Sequence, residues 1–182
     1  MCSSDLTAVL FGDGAGVAIL GPTDDPQRGV LSTHLYAYGR HAEKLWVDAP
    51  GLAHDPFISA ELIEEGKHRS LMEGREVFKF ASVLMPQSVA AALMANGVTA
   101  ADVKLLVPHQ ANLRILEMVQ KAVGLRDDQV YVNIQKYGNT TAASIPIALH
   151  EALCEGRLKR GDLLIMTAFG SGFTWASAAI RW

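Results

Sequence analysis

Residues 105–116, LLVPHQANLRIL, join a buried strand directly to a helix, and the fold can be worked outward from this junction. The apolar run 103–107 predicts a strand that ends at a proline. Apolar residues then recur at helical spacing over 113–123, and a glycine follows them, which predicts a helix and its end. His109 and Asn112 lie between the two elements. Polar side chains at this place either satisfy a crowded turn or bind a ligand.

The chain after this junction repeats the alternation of strand and helix. Apolar runs predict strands at 130–134, 163–167 and 175–182, and a helix is expected over 142–154. Alternation of this kind indicates the α/β class, with a largely parallel sheet and helices on its faces.

The part before the junction is less regular. Short apolar runs predict strands at 7–11 and 30–38. A mixed, charged excursion without a clean period follows over 39–73. A long helix is expected between Gly74 and Asn96, where apolar residues recur every three or four positions.

Bulk composition excludes several classes of function. The 182 residues are 49% hydrophobic, which is enough for a sizeable core, and a net charge of −3 without a basic block argues against nucleic-acid binding. Cys2 and Cys154 have no metal-binding spacing, which favours a reducing cytoplasm. We expect no membrane span and no signal peptide.

Polar or glycine-rich residues follow three successive predicted strands. His109 follows the strand 103–107, Asn139 follows the next strand, and the turn 170–172 follows the third. Ligands collect at the carboxyl ends of parallel strands, so we expect these residues to converge. A neutral His and an Asn can both donate hydrogen bonds to one oxygen, which would stabilise an enolate or a tetrahedral oxyanion.

Each of these residues also has a purely structural interpretation. His109 can be a satisfied residue of a buried turn, Asn139 can cap the next helix, and 170–172 can be no more than a tight turn. Taken together at successive strand ends, they favour a functional site.

Five segments resemble one family in the same order along the chain. They are LVPHQANLRI, YGNTTAASIPIAL, AFGSGFTWASAAIRW, LFGDGAGVAIL and MEGREVFKFA. Together they resemble the C-terminal portion of β-ketoacyl-acyl carrier protein synthase III, a condensing enzyme of the thiolase fold, over residues 7–182. The resemblance implies an α/β, thiolase-like fold that comprises the C-terminal half and the last strands of the N-terminal half. It divides the chain into four parts: a start outside the family pattern (1–6), the end of the first half (7–38), a variable excursion (39–73) and the C-terminal half (74–182).

The resemblance also implies a reaction and its partners. The family condenses an acyl group of the acetyl-CoA class with malonyl-acyl carrier protein, releases carbon dioxide and begins fatty acid synthesis. The implied partners are acyl carrier protein, acyl-CoA and, in the intact family, a second copy in a homodimer. No cofactor, metal, nucleic acid or membrane is implied, and the location is cytoplasmic.

The family's functional residues transfer by motif to positions of this sequence. His109 and Asn139 are implied to hold the malonyl thioester oxygen, and the backbone N–H of Ser171 contributes to an oxyanion hole. Contacts with the carrier protein are implied for Lys79 and Arg114. Contacts with CoA or its pantetheine arm are implied for Phe78, Asn112, Ile115 and Phe169. The spacing of Lys79 and Arg114 alone favours ordinary solvated charges. For Phe78 and Ile115, packing in a stripe of core residues is as good an interpretation as contact with pantetheine.

The family's nucleophilic cysteine belongs to the first half of the fold. Neither Cys2 nor Cys154 has the required setting, so we expect this chain to lack the nucleophile and to be inactive alone. The abrupt start MCSSDL suggests a truncation or a gene-model artefact. Two alternatives stay open: a related thiolase-fold acyltransferase of secondary metabolism, and a non-catalytic half that pairs with a separately encoded first half.

Overall fold

The structure, a computed structural model, describes residues 9–182. Its helices and strands, numbered in chain order, are β1 Gly29–Ala37, β2 Leu45–Trp46, α1 Ala60–Glu64, β3 Leu71–Met72, α2 Gly74–Ala95, β4 Leu105–Pro108, α3 Leu113–Val123, α4 Ile134–Tyr137, α5 Ser144–Cys154, β5 Leu163–Gly170 and β6 Thr174–Arg181. The helix predicted at 113–123 is confirmed, and its last turn ends at Gly124, whose φ of 79° suits a glycine.

The main sheet has four strands in the order β1-β6-β5-β4. Only β4 and β5 run parallel, whereas β6 is antiparallel to both of its neighbours. The sheet is therefore mixed, and the prediction of a largely parallel sheet is wrong. The cause is the short connection between β5 and β6, because three residues can join antiparallel strands but cannot make a parallel crossover.

The strand predicted at 130–134 does not form. Val130 makes a single isolated bridge to Leu106, after which the side chain of Gln110 takes the hydrogen bonds that a neighbouring strand would take. Its Nε2 donates to the carbonyl of Tyr131 (3.1 Å), and its Oε1 accepts from the backbone N–H of Asn133 (3.0 Å). A buried amide side chain thus replaces strand pairing in this segment.

The predicted strand 7–11 begins outside the described residues, and its described part is not a strand. Phe11 makes one isolated parallel bridge with Asn139. The backbone N–H of Asn139 donates to the carbonyl of Leu10 (3.1 Å), and the N–H of Gly12 donates to the carbonyl of Asn139 (2.9 Å). The N-terminal stretch is therefore attached to the backbone of a predicted site residue.

Helices cover both faces of the main sheet. Leu106 and Ile165 pack on one face with residues of α2 and α3, whereas Leu105 and Leu164 pack on the other with residues of α5. Because successive strand residues point to opposite faces, the alternation places one core on each side. The α/β class with helices on two faces is confirmed.

Helix α2 is long and apolar enough to cross a membrane by length and composition, with a mean hydropathy of 1.5 over its best 18-residue window. In the fold it packs against the sheet. The carbonyl of Ser88 accepts from the buried Ser177 hydroxyl, and Ser88 Oγ lies 3.1 Å from Thr167 Oγ1. These bonds join the middle of α2 to β5 and β6, so the helix occupies the position of a core helix.

Candidate functional site

His109 is the first residue beyond the carboxyl end of β4, as the sequence predicts. Pro108 pairs with Thr167 of the parallel strand β5, and the backbone N–H of His109 donates to the carbonyl of Thr167 (2.8 Å). This bond fixes the start of the loop between β4 and α3 to the neighbouring strand. The imidazole therefore extends from an anchored backbone.

The His109 ring makes one hydrogen bond, at Nδ1, and it is uncharged. Its Nδ1 lies 2.6 Å from Oγ of Ser144, the first residue of α5, which is 3% exposed. Burial lowers the pKa of His109 below its usual value, so the ring is neutral at pH 7. A neutral imidazole has one N–H donor and one acceptor nitrogen.

Asn139 is held by its backbone and by one end of its side chain. Its Oδ1 accepts from the backbone N–H of Thr141 (2.9 Å), within the turn that precedes α5. Thr141 has a φ of 51°, a conformation that costs energy for a β-branched residue and often occurs at functional sites. Within residues 9–182 the Nδ2 group of Asn139 donates no hydrogen bond, so both of its N–H donors are available.

The structure brings His109 to the segment that carries Asn139. Ser144, which contacts the His109 ring, follows Asn139 by five residues, and a single 3-10 turn, Thr141–Ala143, lies between them. Two of the three predicted strand-end features are thus joined through the amino end of α5.

The third feature, the turn between β5 and β6, contains Ser171 at an exposed position. The Ser171 carbonyl accepts from the Thr174 hydroxyl (2.9 Å), and the described residues offer its backbone N–H no acceptor. Gly172 has a φ of 121°, and a Cβ there would lie 2.9 Å from Cγ2 of Thr174. Glycine at this position therefore allows the tight turn that presents the Ser171 N–H.

A carboxylate that sequence reasoning missed holds the segment before Asn139. Glu151 of α5 accepts hydrogen bonds from Asn133 Nδ2 (2.8 Å), the Tyr137 hydroxyl (2.8 Å) and Lys136 Nζ (3.1 Å). We call these four residues the Glu151 cluster. The bond from Asn133, followed by those from Tyr137 and Lys136, lowers the pKa of Glu151 to about 2. The cluster joins α4 and the residue before it to α5, on either side of the Asn139 turn.

Sequence reasoning also missed Ser144 and gave Gln110 no role. Ser144 stands where the apolar helical pattern of α5 begins, which is a common place for a serine and carries no functional signal by itself. Gln110 is 1% exposed, and its side chain bonds the backbone of Tyr131 and Asn133.

The residues predicted to meet the carrier protein are both exposed to solvent. Lys79 lies on α2 with its Nζ 5.8 Å from the centroid of the Phe80 ring, and Arg114 lies in the first turn of α3. Asn112 caps α3, because its Oδ1 accepts from the Arg114 backbone N–H (2.9 Å). The cap explains Asn112 structurally and leaves its amide nitrogen free to serve a ligand.

The three apolar residues predicted to line a pantetheine channel pack in or against the core. Ile115 and Phe169 are 5% and 6% exposed, and Phe78 is half-buried against the same cluster. Phe169 packs edge-on to Phe173 with ring centroids 4.9 Å apart. The core stripe that the sequence suggested for Phe78 and Ile115 is therefore present, and contact with a pantetheine arm stays a prediction.

Cys154 is exposed at the far end of α5, with its Sγ 3.7 Å from Nε2 of His150. At the helical rise of about 1.5 Å per residue, ten residues place it roughly 15 Å along the helix from Ser144. Cys2 lies outside the described residues. In the described part of the chain, no group of three His, Cys, Asp or Glu side chains is placed to hold a metal ion.

Two family models match the chain. One, described as 3-oxoacyl-[acyl-carrier-protein (ACP)] synthase III C terminal, matches residues 93–182, and the other, 3-oxoacyl-[acyl-carrier-protein (ACP)] synthase III, matches residues 2–39. The first match contains His109, Asn139 and Ser171. The second begins at residue 2, within the six residues that the motif comparison sets apart.

Individual proteins agree with the family models. The β-ketoacyl-[acyl-carrier-protein] synthase III of Roseiflexus castenholzii is 50% identical over 97% of this chain and 52% of its own length. The synthase III structure from Thermus thermophilus superposes with a TM-score of 0.86, at 42% identity, over 97% of this chain and 53% of that one. A priming β-ketosynthase of the R1128 polyketide pathway has a TM-score of 0.73 and 28% identity, over 88% of this chain and 46% of that one. The chain spans about half the length of the curated relatives it matches.

Proposed function

Because this chain belongs to the 3-oxoacyl-[acyl-carrier-protein] synthase III family and has its thiolase-like fold, we propose that it supplies the decarboxylating part of a condensing site. In the whole protein, malonyl-acyl carrier protein loses carbon dioxide, and the resulting carbanion attacks an acyl group taken from acyl-CoA of the acetyl class. A carbon–carbon bond forms, the acyl group leaves its sulfur, and fatty acid synthesis begins.

The proposed chemistry needs hydrogen-bond donors at one oxygen. When the malonyl carboxylate leaves as carbon dioxide, the electron pair of the broken bond moves towards the thioester carbonyl and forms an enolate. Donors that face this oxygen lower the barrier, because its negative charge is larger in the transition state than in the bound thioester. His109 and Asn139 are the proposed donors.

The observation that supports these roles is that each side chain is bonded at one end and has, at the other, a nitrogen that makes no hydrogen bond within residues 9–182. Nδ1 of His109 is hydrogen-bonded to the Ser144 hydroxyl, so Nε2 is the unbonded ring nitrogen. Oδ1 of Asn139 accepts from the Thr141 N–H, so Nδ2 is the unbonded end of the amide. Held side chains of this kind need little reorganisation when charge develops. The lowered pKa of His109 also keeps the ring neutral, so it does not bind the ground-state carboxylate as an ion pair.

The remaining predicted contacts follow from the same proposal. The Ser171 N–H contributes to an oxyanion hole, and the exposed Lys79 and Arg114 meet the acidic surface of an acyl carrier protein. Pantetheine contacts are assigned to Phe78, Asn112, Ile115 and Phe169. The whole protein works in the cytoplasm as a homodimer, with acyl-CoA and acyl carrier protein as partners and without a cofactor.

A polyketide priming ketosynthase is the second candidate, since one such structure is similar at 28% identity. The identity to synthase III relatives reaches 50% over nearly the whole chain, which favours the fatty acid starter reaction.

The test uses a chimera in which this chain replaces the C-terminal half of the R. castenholzii synthase III. His109→Ala and Asn139→Ala are each expected to slow malonyl decarboxylation by about 100- to 1,000-fold. Acetyl transfer from acetyl-CoA to the cysteine of the first half should fall much less. His150→Ala, at an exposed position on α5, is the matched control and should leave both steps unchanged. Equal losses in the two steps, or losses no larger than the control's, would contradict the assigned roles.

A further inference from the structure

Ser144 contacts the proposed catalytic histidine, and the proposed function uses it only as the hydrogen-bond partner of Nδ1. The serine is buried at the start of α5, and its Oγ has two neighbours among the described residues, namely Nδ1 of His109 (2.6 Å) and the backbone nitrogen of Gln110 (3.2 Å). The two neighbours differ in kind, because one is a fixed donor and the other is either a donor or an acceptor.

The hydrogen-bonding capacity of the Ser144 hydroxyl decides between the two neutral tautomers of the His109 ring. A serine hydroxyl has one hydrogen to donate and two lone pairs. The Gln110 N–H can only donate, so it takes one lone pair of Oγ. If His109 Nδ1 also donated, the Ser144 hydrogen would have no acceptor among the described residues. If the hydroxyl donates to Nδ1, the hydrogen and both nitrogens are satisfied at once.

We propose that Ser144 is a positioning residue that holds His109 in the neutral tautomer with the proton on Nε2. The chain of bonds runs from the Gln110 N–H to Ser144 Oγ, and from the Ser144 O–H to Nδ1 of the ring. The ring then presents Nε2–H on the side opposite Ser144. In the other tautomer Nε2 would be an acceptor and could not donate to the enolate oxygen.

This inference deepens the proposed function and rests on it for its consequence, because Nε2–H is the donor that the malonyl oxygen requires. The tautomer itself is a property of the resting chain. Burial, which lowers the pKa of His109, agrees with a neutral ring in which one nitrogen accepts.

The tautomer is measured directly by nitrogen NMR. Long-range proton–nitrogen spectra of the ¹⁵N-labelled 182-residue chain separate protonated from unprotonated ring nitrogens, and the resonances lost in His109→Gln assign those of His109. We expect an unprotonated Nδ1 and a protonated Nε2 at pH 7.5. A proton on Nδ1 would overturn the proposal, and this result needs no serine variant.

Serine variants then separate the hydroxyl from general packing. Ser144→Ala should lower the share of the Nε2–H tautomer, because the hydroxyl that donates to Nδ1 is lost. Ser144→Thr retains a hydroxyl and should restore this share. Ser82→Ala, which removes another buried helical hydroxyl bonded to the Lys79 carbonyl, is the matched control and should leave the tautomer unchanged.

Two outcomes of the variant series oppose the inference. One is a folded Ser144→Ala whose share of the Nε2–H tautomer equals that of the starting chain. The other is a folded Ser144→Thr that lowers this share as far as the alanine does. If Ser144→Ala does not fold, the spectrum of the unmodified chain decides. None of these measurements uses a malonyl substrate, so failure of the proposed reaction in the chimera is distinguishable from failure of this inference.

Discussion

Replacing Glu151 by Gln tests whether one carboxylate of α5 holds the segment that leads to Asn139. The change keeps the size of the side chain but removes the charge that accepts hydrogen bonds from Asn133, Lys136 and Tyr137. We expect the variant to be less stable than the starting chain at neutral pH, and the two proteins to approach equal stability in acid, where Glu151 is protonated.

The magnitude follows from the pKa of Glu151. A pKa lowered from an ordinary value of 4.5 to about 2 corresponds to at most about 3–4 kcal/mol, since one pKa unit is worth about 1.4 kcal/mol. The side chain is 18% exposed and its partner Lys136 is 49% exposed, so solvent screens part of this energy. We therefore expect Glu151→Gln to lower the free energy of unfolding by roughly 1–2 kcal/mol at pH 7.

The sign of the pH dependence follows from the same shift. The folded state binds the proton of Glu151 more weakly than the unfolded state does, so this contribution is fully present above about pH 4.5. It is lost as the pH falls from about 4.5 towards 2. Urea unfolding of both proteins at pH 7, 5, 4 and 3, followed by circular dichroism, should show a difference that shrinks across the acid range.

The control is Glu117→Gln on α3, whose carboxylate is exposed and makes no hydrogen bond or ion pair within residues 9–182. It should change the free energy of unfolding by less than about 0.5 kcal/mol. A second readout is amide hydrogen exchange, which should accelerate at Gly138 and Asn139 in Glu151→Gln and not in the control. A difference between wild type and Glu151→Gln that is the same at every pH would refute the argument from the pKa.

Two further variants test the packing around the turn between β5 and β6. Phe173→Ala removes a fully buried ring that packs against Phe169, and it should lower the free energy of unfolding, measured with urea, by about 3–5 kcal/mol. A loss below about 1 kcal/mol would show that the ring is not a core residue. Gly172→Ala should lower the free energy of unfolding by about 1–3 kcal/mol, because Gly172 has a positive φ and an added Cβ would approach Thr174 closely. Gly170→Ala should lower it clearly less, because a Cβ there would meet no atom nearer than 3.8 Å. Equal costs at the two glycines would contradict the backbone argument.

The sequence identified the elements whose signals are local. The helix Leu113–Val123 was predictable because its apolar spacing, its Asn112 cap and its terminal Gly124 all lie within the helix or beside it. The strand at 130–134 was mispredicted, although its residues are apolar, because the side chain of Gln110 supplies the hydrogen bonds from more than twenty residues away. Apolar composition alone does not reveal such a competitor.

The same distinction applies to the candidate site. His109 and Asn139 were identified because each follows an apolar run and stands in a recognisable motif. Ser144 and Glu151 were missed because their partners lie 35 and up to 18 positions away in the chain. Their significance comes from the packing of α5 beside the end of β4, which no periodicity shows.

The arrangement around Asn139 joins the two parts of the chain that the family models match. Asn139 exchanges backbone hydrogen bonds with Leu10 and Gly12, so the stretch after residue 9 fixes the backbone whose side chain is the proposed donor. A Cβ on Gly12 would overlap the carbonyl oxygen of Tyr137, hence the close approach requires glycine there. The Glu151 cluster holds the other side of the same turn. The proposed donor is therefore positioned from two directions, by α5 and by the N-terminal stretch.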